Sequence, residues 1–131
     1  MKVVTAGIIQ NADREILIVR RAPGEKLNGF WEFPRGKVEP GESERECLKR
    51  ELAEELAIEV RVGRFVAENL FRYDHGEFLL RAYSVDLIVG ELTLQVHDDF
   101  SWVPPDDLLS YRLAPADVSI AESLIQSAKT S

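Results

Sequence analysis

The segment over residues 36–58, GKVEPGESERECLKRELAEELAI, combines an apolar stripe with a high density of glutamates. Ser43 and Glu46 form a capping-box pattern, which predicts that a helix begins there. Apolar residues then recur every three or four positions up to a predicted helix end near Ala57. The stripe consists of Cys47, Leu48, Leu52 and Leu56. Any fold of this chain must therefore supply an apolar surface that covers one face of this helix.

Another face of the predicted helix carries three glutamates, Glu51, Glu54 and Glu55. Residues three and four apart in a helix lie side by side, so these carboxylates repel one another. Arg50 is turned by about 100° around the axis from Glu51, so we expect it to reach the acids only in part and not to neutralise them. A Mg²⁺ ion, which binds carboxylates, water and substrate phosphate, would relieve the repulsion. The alternative is a solvated acidic face, which is common on helices.

Length and charge restrict the ligands of this chain. Its 131 residues fit a single domain over residues 1–131, and its formal net charge is −7. That field opposes nucleic acid polymers and anionic membranes, so an anionic ligand would need a bridging cation. A single cysteine, Cys47, and the lack of a long apolar segment favour a cytoplasmic protein. We expect a small-molecule ligand and a monomer or homodimer.

β-Rich runs lie on both sides of the acidic helix. Residues 3–10 and 15–20, separated by the polar turn NADR, are predicted to pair as a hairpin. Asp117 is placed to cap a closing helix over residues 118–128. Further strands are predicted at residues 31–33, 59–73, 76–90 and 91–95, the last of which precedes the segment HDDFSWV. This order predicts the α+β class, with a mixed β-sheet sandwiched between helices.

Residues 36–58 resemble the Nudix box, G-x5-E-x7-R-E-U-x-E-E-x-G-U, in which U is a bulky aliphatic residue. Every specified position except Ala57 matches. The segments GIIQNADREILIVRRA, WEFPRGKVEPGE and LAPAD are similar to the MutT-like branch of that family. The matching positions are Gly36, Glu42, Arg50, Glu51, Leu52, Glu54, Glu55 and Ile58. The resemblance implies the Nudix fold, an α/β/α sandwich.

The same resemblance implies hydrolysis of nucleoside triphosphates to a monophosphate and pyrophosphate, with Mg²⁺ as cofactor and Mn²⁺ as its alternative. Three glutamates would bind the metal, and a backbone carbonyl from the preceding loop would be a further ligand. One outer glutamate would support them, and an arginine would orient the carboxylates. The metal-binding glutamates are Glu51, Glu54 and Glu55, and the carbonyl is that of Gly36 or Arg35. The outer glutamate is Glu42, and the orienting arginine is Arg50.

The general base is left open between a glutamate of the box and an acid from a later loop. Asp98, in QVHDDFSW, is the loop candidate, with Asp99 as the second choice. The alternative for both is a solvated turn. His75 and His97 belong to no second metal-binding pattern and are interpreted as loop residues.

Three residues are candidates for substrate binding. Arg21 resembles a position that contacts phosphate or base in MutT-like proteins. Phe33 is the candidate for stacking on the base, with a place in the core as its alternative. Asp117 would accept a hydrogen bond from an exocyclic amino group such as cytosine N4, unless it serves only as a helix cap. Cytidine-type and oxidised nucleotides are therefore the first candidate substrates.

Two departures from the family pattern leave other functions open. Ala57 stands where the family has a glycine at the helix end, which costs on the order of 1 kcal/mol if the backbone is left-handed. Arg35 stands where a second glycine is common, and its side chain would crowd or recharge the site. A non-catalytic nucleotide-binding module is one alternative function. A hydrolase of other nucleoside diphosphate derivatives is the other.

Overall fold

The computed structural model describes residues 1–130, in which seven strands form two sheets accompanied by two α-helices. The strands are β1 (Lys2–Ile9), β2 (Ile16–Arg21), β3 (Trp31–Glu32), β4 (Arg35–Lys37), β5 (Glu59–Tyr73), β6 (Gly76–Val89) and β7 (His97–Val103). The helices are α1 (Glu44–Leu56) and α2 (Val118–Thr130), and 3-10 turns occupy Pro105–Ser110 and Pro115–Asp117. Among these residues no helix is both long and apolar enough to cross a membrane.

The larger sheet is mixed and has the strand order β4-β1-β6-β5. Strand β1 runs parallel to β6 and antiparallel to β4, and β5 is antiparallel to β6. The smaller sheet, β3-β2-β7, is antiparallel. This arrangement confirms the predicted α+β class.

The strands at the centre of the fold are buried on both faces because a helix covers each side. Along β1, Ala6 and Ile8 belong to the apolar cluster that includes Ile120 of α2, whereas Ile9 belongs to the cluster under α1. The predicted apolar stripe of α1 is fully buried, and each leucine contributes about 1.5–3 kcal/mol through burial. The mixed sheet therefore lies between helices, as predicted.

The predicted pairing of the first two strands is wrong. Strands β1 and β2 form as expected, but they belong to different sheets and meet only at the isolated bridge between Gln10 and Ile16. Each strand pairs at both of its edges with other strands: β1 with β4 and β6, and β2 with β3 and β7. The sequence therefore predicted correctly that both segments form strands, but not which strands they pair with.

The strand predicted over residues 91–95 is also wrong, because this segment follows the end of α1 instead of joining a sheet. The amide of Thr93 donates to the carbonyl of Leu56 at 3.0 Å, and that of Gln95 donates to the carbonyl of Glu55 at 3.1 Å. The last carbonyls of a helix have no partners within it, so this segment satisfies them. We call residues 91–95 the capping segment.

Helix α1 begins and ends where the sequence predicts. The Ser43 side chain accepts from the Glu46 amide, and the Glu46 side chain accepts from the Ser43 amide. At the other end Ala57 has φ 57° and ψ 37°, which is the left-handed conformation that favours glycine.

We expect Ala57→Gly to stabilise the protein by about 1 kcal/mol, because glycine adopts the left-handed backbone without a Cβ penalty. Chemical denaturation measures the change in the free energy of unfolding. Ala53→Gly, inside the same helix, is the matched control and should destabilise by about 0.5–1 kcal/mol. A less stable Ala57→Gly protein would contradict the prediction.

Candidate active site

Strand β4 and helix α1 approach closely at Gly36. A Cβ atom placed on Gly36 would lie 1.8 Å from Cγ of Glu51, so a side chain at this position is incompatible with the observed place of Glu51. The carbonyl oxygen of Gly36 accepts long hydrogen bonds from the Thr5 hydroxyl at 3.4 Å and the Cys47 thiol at 3.6 Å. The structure thus brings the predicted carbonyl beside the acidic helix, and its role as a metal ligand stays a prediction.

Arg50 binds far more of the surrounding carboxylates than its sequence position suggested. Its guanidinium donates to both oxygens of Glu42, at 2.6 and 2.9 Å. It also donates to Glu51 at 2.9 Å and to Glu54 at 3.3 Å, and it lies 3.8 Å from Glu39. The expectation that Arg50 does not neutralise the acids is therefore wrong, because one guanidinium links several of them. The orienting role that the family resemblance implies for Arg50 stays a prediction.

Two of the three predicted metal-binding glutamates, Glu51 and Glu55, line a cavity of about 420 Å³ around β4. Glu54 does not line it, and its side chain is 59 % exposed. Burial raises the pKa of Glu55 to about 7, opposed by His97. The Oε2 atom of Glu55 is buried and has no hydrogen-bond partner among the described residues. A buried carboxylate oxygen in this state is suited to a cation.

The donors present fit a hard divalent cation. Within residues 1–130 no three His, Cys, Asp or Glu side chains already converge into a metal site. Mg²⁺ does not need such a cage, because one or two carboxylates commonly bind it together with water and substrate phosphates. Glu51 and Glu55 are available for that role. The unpartnered oxygen of Glu55 is the observation that supports the fit.

A buried charged group that the sequence did not reveal forms another wall of the same cavity. Glu32 is 3 % exposed and accepts from Arg21 at 2.8 Å, while its other oxygen lies 3.1 Å from Nε2 of His97. Despite its burial, Arg35, His97 and Arg21 lower the pKa of Glu32 to about 2. His97 is nearly buried, in strand β7, so its interpretation as a loop residue is wrong.

The sequence contained one weak signal that could have pointed to Glu32, its place within a short apolar strand. Glu32 stands between Trp31 and Phe33, and a glutamate at an inward strand position requires partners. Arg21, predicted to bind substrate, lines the cavity together with Glu32 and His97. The structure therefore brings Arg21 to the site, as its candidate role requires.

The structure places the two other substrate-binding candidates inside the protein. Phe33 is fully buried in the core, which favours the core alternative over base stacking. Asp117 is also fully buried, and its Oδ2 atom accepts from the Phe33 amide at 2.9 Å and from the Arg35 guanidinium. Neither bond is to the amides that begin α2, so the expected capping bond is absent among the described contacts. Its Oδ1 atom has no partner among residues 1–130.

Asp98 lies outside the cavity. Its carboxylate pairs with Arg20 at 2.8 Å, and Asp99 lies within 4.0 Å of the same arginine. The register of β2 and β7 shifts at this point, between the pairs Arg20–Asp99 and Arg21–His97. Neither Asp98 nor Asp99 lines the cavity, and the choice of general base between them and a glutamate of the box stays a prediction.

A mixed sheet between two helices, with an acidic helix beside a glycine strand and a charged cavity, is the arrangement of a Nudix domain. The NUDIX domain family model matches residues 1–124, so the chain belongs to this family. Nudix hydrolases generally use a divalent metal.

Relatives of known name and structure resemble almost the whole chain. The CTP pyrophosphohydrolase of Escherichia coli is 40 % identical over 122 residues, 93 % of this chain and 90 % of that protein. A putative 8-oxo-dGTP diphosphatase 2 of Mycobacterium tuberculosis is 40 % identical over 88 % of this chain and 82 % of its own. The solution structure of the E. coli ORF135 protein has a TM-score of 0.89 at 38 % identity, covering 99 % of this chain and 92 % of that chain.

We expect Gly36→Ala to destabilise the protein by about 1–3 kcal/mol, because the new methyl group overlaps Glu51 and forces β4 and α1 apart. The free energy of unfolding from chemical denaturation is the measurement. Gly7→Ala is the control, since its Cβ atom would meet Leu52 and Val85 at an ordinary 3.4 Å. Equal effects of the two substitutions would contradict the close approach described here.

A second prediction concerns Glu42, whose pKa is lowered to about 2 mainly by hydrogen bonds from Arg50. A carboxylate with a lowered folded-state pKa stabilises the fold above its ordinary pKa, and this stability is lost as the pH falls towards 2. In Arg50→Gln the pKa of Glu42 should return towards 4.5. NMR titration of the glutamate carboxyl carbons measures it. Arg61→Gln, remote from Glu42, should leave its pKa unchanged, and an unmoved Glu42 pKa in Arg50→Gln would refute the assignment.

Proposed function

We propose that this protein hydrolyses nucleoside triphosphates to the monophosphate and pyrophosphate, with Mg²⁺ as its cofactor and Mn²⁺ as a substitute. One observation carries the proposal: Glu51 and Glu55 face a single cavity, and a buried oxygen of Glu55 has no partner among the described residues. The activities for which the relatives are named, CTP pyrophosphohydrolase and 8-oxo-dGTP diphosphatase, support the reaction type.

Each polar group of the site has a task in this reaction. Glu51 and Glu55 would hold the divalent ion, which supplies charge screening for the polyphosphate and a lowered pKa for its bound water. Arg50 positions Glu51 through its hydrogen bond at 2.9 Å. Arg21 lies in the cavity wall, where its guanidinium is suited to a phosphate oxygen. A glutamate of the box, rather than Asp98, takes the proton from the attacking water.

Electrostatics explain why the cation is central to this proposal. The chain has a net charge of −7, so its field repels a free triphosphate. Carboxylates and phosphates coexist in one cavity only when a cation lies between them. The acidic helix and the anionic substrate therefore become compatible through the same ion.

The cytidine-type and oxidised nucleotides remain the candidate substrates, in keeping with the printed names of the relatives. A non-catalytic binding module is disfavoured because every glutamate of the box is present. Hydrolysis of other nucleoside diphosphate derivatives is the remaining alternative. We place the reaction in the cytoplasm.

The proposal is tested by incubating the purified protein with Mg²⁺ and a panel of normal, methylated and oxidised nucleoside triphosphates, with pyrophosphate release as the readout. At least one member should be hydrolysed. In Glu55→Gln we expect kcat to fall by about 100-fold or more, because a neutral amide holds the cation poorly.

Glu122→Gln is the matched control, since it removes one negative charge from an exposed position of α2. It should hydrolyse the best substrate at the wild-type rate. Far-UV circular dichroism verifies that each variant is folded. Nucleotide binding without any turnover would support the binding-module alternative, and a fully active Glu55→Gln protein would remove Glu55 from the metal site.

A further inference from the structure

The side chain of Arg35 separates the cavity from Asp117. Arg35 lines the cavity, whereas Asp117 does not line it and is fully buried. The Arg35 guanidinium binds Oδ2 of Asp117 through Nη2, and its Nε atom lies 3.3 Å from the Phe33 carbonyl and 3.5 Å from Glu32. The wall at this point therefore presents a guanidinium to a ligand, and the carboxylate lies behind it.

Strand geometry points the side chain of Arg35 to a different face of β4 from Gly36, although Arg35 lines the same cavity as Glu51 and Glu55. Successive side chains of a strand point to opposite faces. Gly36 faces Glu51 of α1, so Arg35 faces the side of the sheet on which α2 begins, where it meets Asp117. If the phosphates lie at Glu51 and Glu55, as the proposed function has them, the part of the cavity beside Arg35 is left for the rest of the nucleotide.

The charges around Arg35 favour contact with a neutral acceptor over contact with phosphate. Two buried carboxylates, Asp117 and Glu32, already pair with this guanidinium. The positive charge of the Arg35 guanidinium is therefore largely compensated, while its N–H groups remain hydrogen-bond donors. The Nη1 atom takes part in none of the hydrogen bonds recorded among residues 1–130, and an arginine cannot accept a hydrogen bond.

We infer that Arg35 is a specificity-determining residue that contacts the nucleobase and selects bases presenting an oxo oxygen over bases presenting an amino group at the same position. The inference rests on the proposed function. It assigns base selection to a residue that stands where a glycine is common in the family. It replaces the expectation that Asp117 accepts from an amino group, and with it the candidacy of cytidine-type nucleotides, while the reaction itself stays as proposed. Asp117 becomes the positioning residue that fixes the guanidinium.

Matched nucleotides test this inference directly. UTP differs from CTP, and ITP from ATP, by an oxo group in place of an amino group with the ring proton that accompanies the exchange. We expect kcat/KM to be higher for the oxo member of each pair, by about 5- to 150-fold for a well-formed arginine contact to a base. Equal values, or a preference for the amino members, would overturn the inference.

Variants separate base reading from phosphate binding. Arg35→Lys keeps the charge beside Asp117 but loses the forked donor, so the oxo-to-amino ratio should fall towards 1. The double variant Arg35→Gly with Asp117→Asn removes both charges, so that no buried carboxylate is left unpaired. Its oxo-to-amino ratio should also fall towards 1. Arg61→Lys, on the exposed surface of β5, is the control and should keep the wild-type ratio. A uniform loss for all four nucleotides in Arg35→Lys would show phosphate contact instead.

A binding measurement makes the result independent of turnover. Calorimetry with the product monophosphates UMP, CMP, IMP and AMP should show the same order of affinity in the wild type, and the order should be lost in Arg35→Lys. Absence of hydrolysis with retained oxo preference would overturn the proposed function alone. Hydrolysis with no oxo preference in either assay would overturn the role of Arg35 alone.

Discussion

At Gly36 the strand β4 and the helix α1 are so close that Cγ of Glu51 occupies the space in which a side chain would begin. This contact sets the distance between the sheet and the acidic helix. The buried leucines of α1 hold the helix against the sheet. Because Gly36 has no side chain, Glu51 and Glu55 of α1 can reach the cavity. Packing and the geometry of the site therefore have the same origin.

The close approach would be unfavourable if the acids of α1 and its preceding loop were left unpaired. Arg50 prevents this, because a single guanidinium bonds to Glu42, Glu51 and Glu54. It does not reach the buried oxygen of Glu55. The protein thus neutralises most of its acidic cluster internally and leaves one carboxylate poised for a cation.

Local patterns in the sequence predicted the elements of the fold well. The capping box, the apolar stripe and the end of α1 at Ala57 were all predicted, because each depends on residues within one or two turns. The partners of β1 and β2 were not predictable in this way. Their separation into two sheets depends on strands far along the chain, β6 and β7, which no local pattern indicates.

The residues of the site show the same difference between what local sequence patterns predict and what only the folded chain brings together. Glu51 and Glu55 reach the cavity because the box fixes their spacing on one helix. His97 and Glu32 were missed because they are 65 residues apart, and only the packed fold brings them within 3.1 Å. Phe33 was ambiguous in sequence, since the residue types that stack on bases are also the residue types that fill cores.

The capping segment joins the two sides of the cavity. Its amides are bonded to the end of α1, which carries Glu55, and within two residues the chain continues into β7 at His97. These few residues act as a spacer of fixed length between the acidic helix and the opposite wall. Surface loops usually tolerate insertions in evolution, but an added residue here would either break the bonds to α1 or shift His97 out of register with Arg21. Length variation among related chains should therefore accumulate elsewhere, in turns that do not connect the two halves of the site.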